Sequence, residues 1–398
     1  MLRDLRGLHK LDVPVEPPPE GRGSLLVLLG ENGLGKTTFL RGVAFALVDP
    51  GVAGAFLGPA PAPYRREGAA EAVCSVETTG GTYLAVINGG GEVERITKDA
   101  APEGPRPFVA AYGCRRGSAL GTRPRPSQPT AADDIDNLFD RPNGLTDAEA
   151  WLAQLKAASH DRDDEAWRVY EAVRAAICTL LPDVADLDVM EDRRLWVTFK
   201  NEGRGRVRFA ALSDGYLTTV GWAVDLMARW VERQTARLHL PVRAGFLAEM
   251  SGFVLIDEID LHLHPVWQRR VLHDIRRLFP RLHFIVTTHN PLTITGALPG
   301  EVRVLVRDAA TGEVRAEAPP FDPRLLTASQ LHREFFGIPG LFPTELADKY
   351  QRYGRLAGVT ARDDDEERAV WRLYEELRTA GVTVEPPEPR EEPPAGGA

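Results

Sequence analysis

Apolar and polar positions along this chain switch between two periods, and the switches mark its elements. Residues 24–29 (SLLVLL) form a short unbroken apolar run, the pattern of a strand covered on both faces as in a parallel sheet. Beyond it Phe39, Leu40, Val43, Ala44 and Leu47 recur at helical spacing, so the glycine-rich stretch between joins a strand to a helix. From 71 to 97 the period becomes two: EAVCSVETT, GTYLAVI and EVERIT alternate and are divided by glycines, which predicts an antiparallel meander. FVAAYGC, from 108 to 114, reads as another buried strand and leads into a loop rich in Pro, Gly, Ser and Arg. Helices are expected over about 146–158 and 163–181, the second with Trp167, Tyr170, Val173, Ile177 and Leu180 on one stripe; both are too short for a long coiled-coil arm. Strand-like ADLDVM, RLWVTFK and RVRFAAL precede a helix from Asp214 to about Arg233. A buried strand (GFVLIDEID), a helix over 265–278 and a further strand (LHFIVTTHN) follow.

This alternation predicts an α/β fold with a mostly parallel sheet, an antiparallel meander and an inserted helical subdomain. The expected division is an N-terminal lobe over 1–130, the helical insertion over 131–185 and a C-terminal lobe over 186–318. A helical region over 319–382 and a Pro-rich, acidic tail over 383–398, expected to be disordered, complete it. No fixed-period repeat is visible.

Composition narrows the function classes. The 398 residues are 43% hydrophobic, enough for a sizeable core. Acidic residues outnumber basic ones, 57 to 48, so a nucleic-acid contact must come from a local basic patch. Cys74, Cys114 and Cys178 stand far apart with no CxxC pair, which speaks against disulfides and structural zinc. No apolar run approaches the roughly 20 residues of a membrane-spanning helix, and residues 1–12 lack the apolar stretch of a signal peptide. A cytoplasmic protein is expected.

Residues 30–37, GENGLGKT, fit the phosphate-binding pattern G-x-x-x-x-G-K-[ST] between a strand and a helix. Its glycines let backbone N–H groups converge on phosphate oxygens at a helix N-terminus, Lys36 reaches the β and γ phosphates, and the Thr37 hydroxyl ligates Mg2+. In FVLIDEID an apolar strand ends in two carboxylates, costly unless they face a cation or water. Asp257 is expected to hold Mg2+ through water, and Glu258 to polarise the attacking water as general base. ALSDGYLTTVGWAVDL admits two readings on its residues: an ordinary capped helix packing Leu217, Val220, Val224 and Met227, or a helix start at Ser213, Asp214 and Gly215 that meets an anion.

GENGLGKTT, LSDGY, FVLIDEIDLHLHP and IVTTHNP resemble, in that order, the Walker A, signature, Walker B with D-loop, and switch-histidine motifs of ABC-type ATPases. The variant DEIDLHLHP with TTHNP is similar to the soluble RecF and SMC-related branch, and within it to phage-defence ATPases of the Septu and overcoming-lysogenisation-defect types. The resemblance covers about residues 24–307. It implies an ATP hydrolase with ATP and Mg2+ as cofactors, in which two heads sandwich two nucleotides as a homodimer or higher oligomer. Gly30, Glu31, Asn32, Gly33, Leu34, Gly35, Lys36, Thr37 and Thr38 would bind nucleotide, with Ser213, Asp214 and Gly215 supplied by the other head. Thr37 and Asp257 would hold the metal, Glu258 and Lys36 would be catalytic, and His289 would sense the γ-phosphate. Residues 261–264 would link the two sites. Such ATPases control a separately encoded effector, here expected to be a nuclease.

Three departures stand out. His264 occupies a position usually held by Asp, no Gln marks an unmistakable Q-loop (Gln128 lies in the Pro-rich loop), and FVAAYGCRRG matches a segment of defence ATPases whose role its residues do not reveal. His262 and His264 lack evident third and fourth metal ligands and read as a dimer contact. Arg269, Arg270, His273, Arg276 and Arg277, with Arg115, Arg116, Arg123 and Arg125, form a basic stripe that suits either solvent or nucleic acid. Two rivals to a defence ATPase are a RecF-like ATPase acting on DNA in repair and the cassette of a membrane transporter. The missing Q-loop and the long insertion count against the transporter.

Overall fold

The computed structural model describes residues 1–57, 64–89, 93–94, 106–116, 130–140, 145–159, 164–201, 203, 205–237, 239, 241–243, 245–319, 321–336, 344–359 and 362–388. Arg123, Arg125, Gln128 and the last ten residues of the expected tail lie outside them. The chain divides into a unit Met1–Leu325 and a unit Leu326–Ala398.

The first unit is built on a six-stranded sheet in the order Val314–Glu317, Val302–Arg307, Leu25–Leu29, Leu282–Thr287, Gly252–Ile256, Val109–Tyr112. All pairings are parallel except the one between Val302–Arg307 and Val314–Glu317. The α/β class expected from the alternation is the class observed. Leu25 to Leu29 are all buried, as their unbroken apolar run requires when helices cover both faces. The register pairs Ile256 with both Val286 and Tyr112, so three strands finish level and their following loops meet at one edge. Ligands of open α/β sheets bind at such carboxyl ends.

A second, antiparallel sheet runs in the order Leu8–Leu11, Leu2–Leu5, Ala72–Thr78, Gly81–Ile87, Val93–Glu94. The meander over 71–97 supplies its later strands. Its first hairpin falls in what reads as a merely charged start of the chain. Leu2, Leu5, Leu8 and Leu11 stand three apart, which is not a strand period, yet all four are buried. Asp4 has a φ of 51°, an irregularity that resets the alternation of faces. Helix Lys36–Leu47 packs against this sheet, and the shared core includes Leu26, Leu28, Phe39, Leu40, Phe45, Cys74, Val109 and Leu255.

Helices Ala148–Ala158 and Glu165–Leu180 pack on each other and on helix Asp214–Glu232. A three-stranded antiparallel sheet, Arg206–Arg208, Leu195–Phe199, Val184–Val189, flanks them. The single helix expected over 265–278 is two, Pro265–Gln268 and Val271–Leu278, parted at Arg269 and Arg270. The second unit holds helices Ala328–Phe336, Thr344–Ala357 and Asp364–Thr379, with a small core around Tyr353, Val370, Leu373 and Leu377. No helix of the described residues is long and apolar enough to cross a membrane.

Candidate nucleotide site

Strand Leu25–Leu29 and helix Lys36–Leu47 are joined by a loop that must reverse within six residues. Gly33 and Gly35 hold φ of 81° and 91°, backbone that an L side chain adopts only at a cost. Gly35 is the helix N-cap and has no side chain to bond the first-turn N–H groups, which suits that helix end to an anion. The Lys36 ammonium is buried and donates to the carbonyls of Gly30 at 2.7 Å and Glu31 at 2.9 Å. Burial lowers the Lys36 pKa to about 8, with Asp257 and Glu258 pulling the other way. Glu31, Asn32 and Gly33 are exposed at the loop's crown, Leu34 is buried, and Thr38 is half-buried on the helix.

Strand Gly252–Ile256 carries Asp257 to the same edge. Asp257 is 3% exposed and accepts the Thr37 hydroxyl and the Thr287 hydroxyl, each at 2.6 Å. Thr37 and Asp257 are 220 residues apart in the chain, so this bond is made by sheet order alone. A threonine hydroxyl beside a carboxylate is a hard oxygen pair, a donor set that would suit Mg2+. Glu258 adopts a φ of 49° and leaves its side chain 38% exposed, with Oε1 3.9 Å from Nε2 of His289. Burial and the charge of Lys36 hold the His289 pKa below the ordinary imidazole value, with Asp260 and Asp257 opposing. Asp260 is held above the usual carboxylate range by burial, while the Thr288 hydroxyl donates to it.

Helix Asp214–Glu232 begins nearby. Ser213 and Asp214 are exposed, and no side chain caps this end. A Cβ on Gly215 would lie 2.5 Å from the carbonyl oxygen of His262, so only glycine lets this helix start rest on the loop after Asp257. The structure therefore gathers Lys36, Thr37, Asp257, Glu258 and His289 at one sheet edge. Ser213 and Asp214 are exposed at a helix start that rests on His262 through Gly215. His262 and His264 are exposed, and His264 Nδ1 accepts a 3.4 Å bond from Val266 N at a helix start.

Several residues of the site escape the sequence reading. Thr287 anchors Asp257 and also accepts from the Glu258 backbone N–H at 2.8 Å. Its signal was the polar pair Thr287–Thr288 ending an apolar strand. Arg116 belongs to no basic surface: it is 2% exposed and donates to the carbonyls of Asp257 at 2.7 Å and Glu258 at 2.8 Å. Burial lowers its pKa to about 10, with Asp260 and Asp257 opposing. Asp225, fully buried in an otherwise apolar helix face, accepts from Tyr112, Thr146 and Arg229. A lone Asp four residues before an Arg in an apolar run was the available sign of it.

Residues 125–295 match the AAA_21 family, described as "AAA domain, putative AbiEii toxin, Type IV TA system". The matched span contains Ser213, Asp257 and His289 and stops short of residues 30–37. The chain is 26% identical over 358 residues to the Septu protein PtuA of Bacillus mycoides (strain KBAB4), covering 88% of this chain and 46% of that protein. It is 30% identical over 178 residues to the retron Vc95 probable ATPase of Vibrio cholerae serotype O1 biovar El Tor, covering 44% of this chain and 33% of that one. The chain is similar to ABC-type P-loop ATPases of phage defence. It spans less than half the length of these two relatives. Among solved structures, the SMC head domain from Thermotoga maritima aligns with 80% of this chain and 96% of its own, at 15% identity and a TM-score of 0.41.

Proposed function

We propose that this chain binds Mg-ATP between the residue 30–37 loop and Asp257 and hydrolyses it at a pocket completed by a second copy. The observation that carries this reading is the Thr37–Asp257 hydrogen bond, which sets the phosphate loop and the acidic strand end side by side. Backbone N–H groups of the loop and Lys36 hold the phosphates. Thr37 and Asp257 hold Mg2+, which when bound neutralises charge on the phosphate oxygens. Glu258 takes the proton of the attacking water, and His289 contacts the γ-phosphate. Ser213, Asp214 and Gly215 act on the nucleotide of the other copy, in keeping with the exposure of the first two. The assembly is a homodimer or higher oligomer in the cytoplasm, and its ATP cycle controls a separately encoded effector, a nuclease by the resemblance of its motifs to those of phage-defence ATPases.

A second reading, an ATPase acting on DNA in repair, draws on the exposed Arg269, Arg270, His273 and Arg277. Arg116, being buried, does not belong to that surface, and Arg276 is engaged with Glu301 at 2.6 Å. Salt-dependent binding of duplex DNA that those four arginine and histidine side chains abolish when neutralised would favour it.

The test is Glu258→Gln. Removing the base should lower turnover by about a thousandfold while ATP affinity stays within about threefold of the parent. Mass measurement with ATP should show the variant held as a closed dimer. A turnover rate equal to the parent's overturns the assignment.

A further inference from the structure

We propose that Arg116 is a positioning residue that sets the Glu258 side chain against the nucleotide, a role that rests on the ATPase reading above. The hydrogen-bond ladder of the acidic strand runs out where the chemistry begins. Asp257 N donates to Tyr112 O at 2.8 Å as the last bond to the neighbouring strand Val109–Tyr112, and the Glu258 and Ile259 N–H groups then turn to Thr287 on the other side. The carbonyls of Asp257 and Glu258 point the opposite way, past the end of strand Val109–Tyr112. A buried carbonyl there needs a donor. Arg116 supplies it to Asp257 at 2.7 Å, joins the Leu261 N–H (3.0 Å) on the Glu258 carbonyl at 2.8 Å, and ties the pair to its own turn through the carbonyl of Gly113 at 3.2 Å. That turn is itself fastened: Gly113 N donates to Asn137 Oδ1 at 2.9 Å, and Asn137 Nδ2 reaches the Arg116 carbonyl at 3.4 Å.

What the clamp holds is an unfavourable backbone. Glu258 has a φ of 49°, in the left-handed region that a glutamate rarely occupies. That φ turns its side chain out of line with Asp257 and toward His289, 3.9 Å away. The Asp257 carboxylate is held separately, by the Thr37 and Thr287 hydroxyls. The two carboxylates of the site therefore have different supports: hydroxyls for the one assigned to the metal, a guanidinium on the backbone for the one assigned to the proton. Arginine suits the second task because one planar fork reaches two successive carbonyls, which a lysine ammonium does less well.

The separation gives the experiment. In Arg116→Met, kcat should fall on the order of 100-fold through displaced Glu258, with the Kd for a fluorescent ATP analogue plus Mg2+ within about threefold of the parent. Arg116→Lys, which keeps the charge and one donor group, should recover part of the rate, and it carries the test if the Met variant does not fold. Hydrogen exchange supplies a readout independent of turnover: amides of residues 258–261 should exchange faster in both variants while those of helix Lys36–Leu47 do not. Unchanged exchange at 258–261, or a loss of nucleotide affinity as large as the loss of kcat, overturns the proposal. If the parent chain itself hydrolyses no ATP, the ATPase reading fails and with it the positioning of Glu258 for catalysis, and faster exchange in the variants then identifies a purely structural clamp.

Discussion

Two buried aspartates in this chain are satisfied in opposite ways. Asp225, in the middle of helix Asp214–Glu232, accepts from the Tyr112 hydroxyl at 2.9 Å, from the Thr146 N–H and hydroxyl at 2.9 and 2.8 Å, and from the Arg229 guanidinium. Arg229 in turn reaches Asp134 at 3.2 Å; burial works against its charge, but Asp225, Tyr112 and Asp134 together hold its pKa above the ordinary arginine value. The cation that balances Asp225 is part of the protein. Asp257 is just as secluded, yet it accepts two neutral hydroxyls and, among the described residues, has no ion pair. A charge finished by an arginine serves the fold. One left with hydroxyls beside the residue 30–37 loop is, on the proposed ATPase function, the charge that would meet a cation from outside.

That contrast can be broken at either end. The largest expected effect is on Asp225→Ala: it leaves buried Arg229 with Asp134 as its remaining counter-charge and takes the acceptor from Tyr112 and Thr146, so stability of the first unit should fall by about 3–5 kcal/mol in chemical denaturation. A loss under about 1 kcal/mol would mean Asp225 is not the structural member of the pair. Asp257→Asn should instead leave stability nearly unchanged and lower the Mg2+ enhancement of ATP affinity by about 10- to 100-fold, read by titration with and without the metal. Equal Mg2+ dependence in variant and parent would remove Asp257 from the metal site.

The smallest effect concerns pH. With its pKa lowered to about 8, Lys36 is charged before nucleotide arrives at pH 7 but must take up a proton to meet phosphate above pH 8. Bound phosphate raises that pKa. ATP affinity should therefore be flat below about pH 7 and weaken with rising pH through 8 and 9, toward about tenfold per unit, with the dependence absent in Lys36→Ala. A flat profile in the parent would place the ammonium away from the phosphates.

Local pattern made much of this architecture legible. SLLVLL before GENGLGKT announces a buried strand feeding a helix start, and alternation over 71–97 announces the meander. Both signals live in residues that are neighbours in the chain. The N-terminal hairpin was opaque because Asp4 breaks its period, so four leucines spaced by three mimic a helical stripe. The break at Arg269 and Arg270 was hidden for the opposite reason: the helical period continues through it.

What the amino-acid order determined by itself is the chemistry available: a glycine-curled loop ending in Lys36 and Thr37, and a strand ending in two carboxylates. Those are local properties of backbone freedom and charge. Which partner each charge received was decided in three dimensions. Arg116 looks in sequence like one more cation of an arginine-rich loop, and it became the donor to two carbonyls at 257 and 258 because strand Val109–Tyr112 lies beside strand Gly252–Ile256. Asp225 and Asp257 are the same side chain in apolar surroundings: helical spacing set Arg229 beside the first, but only helix packing brought it Tyr112 and Thr146, and only sheet order gave the second the hydroxyls of Thr37 and Thr287.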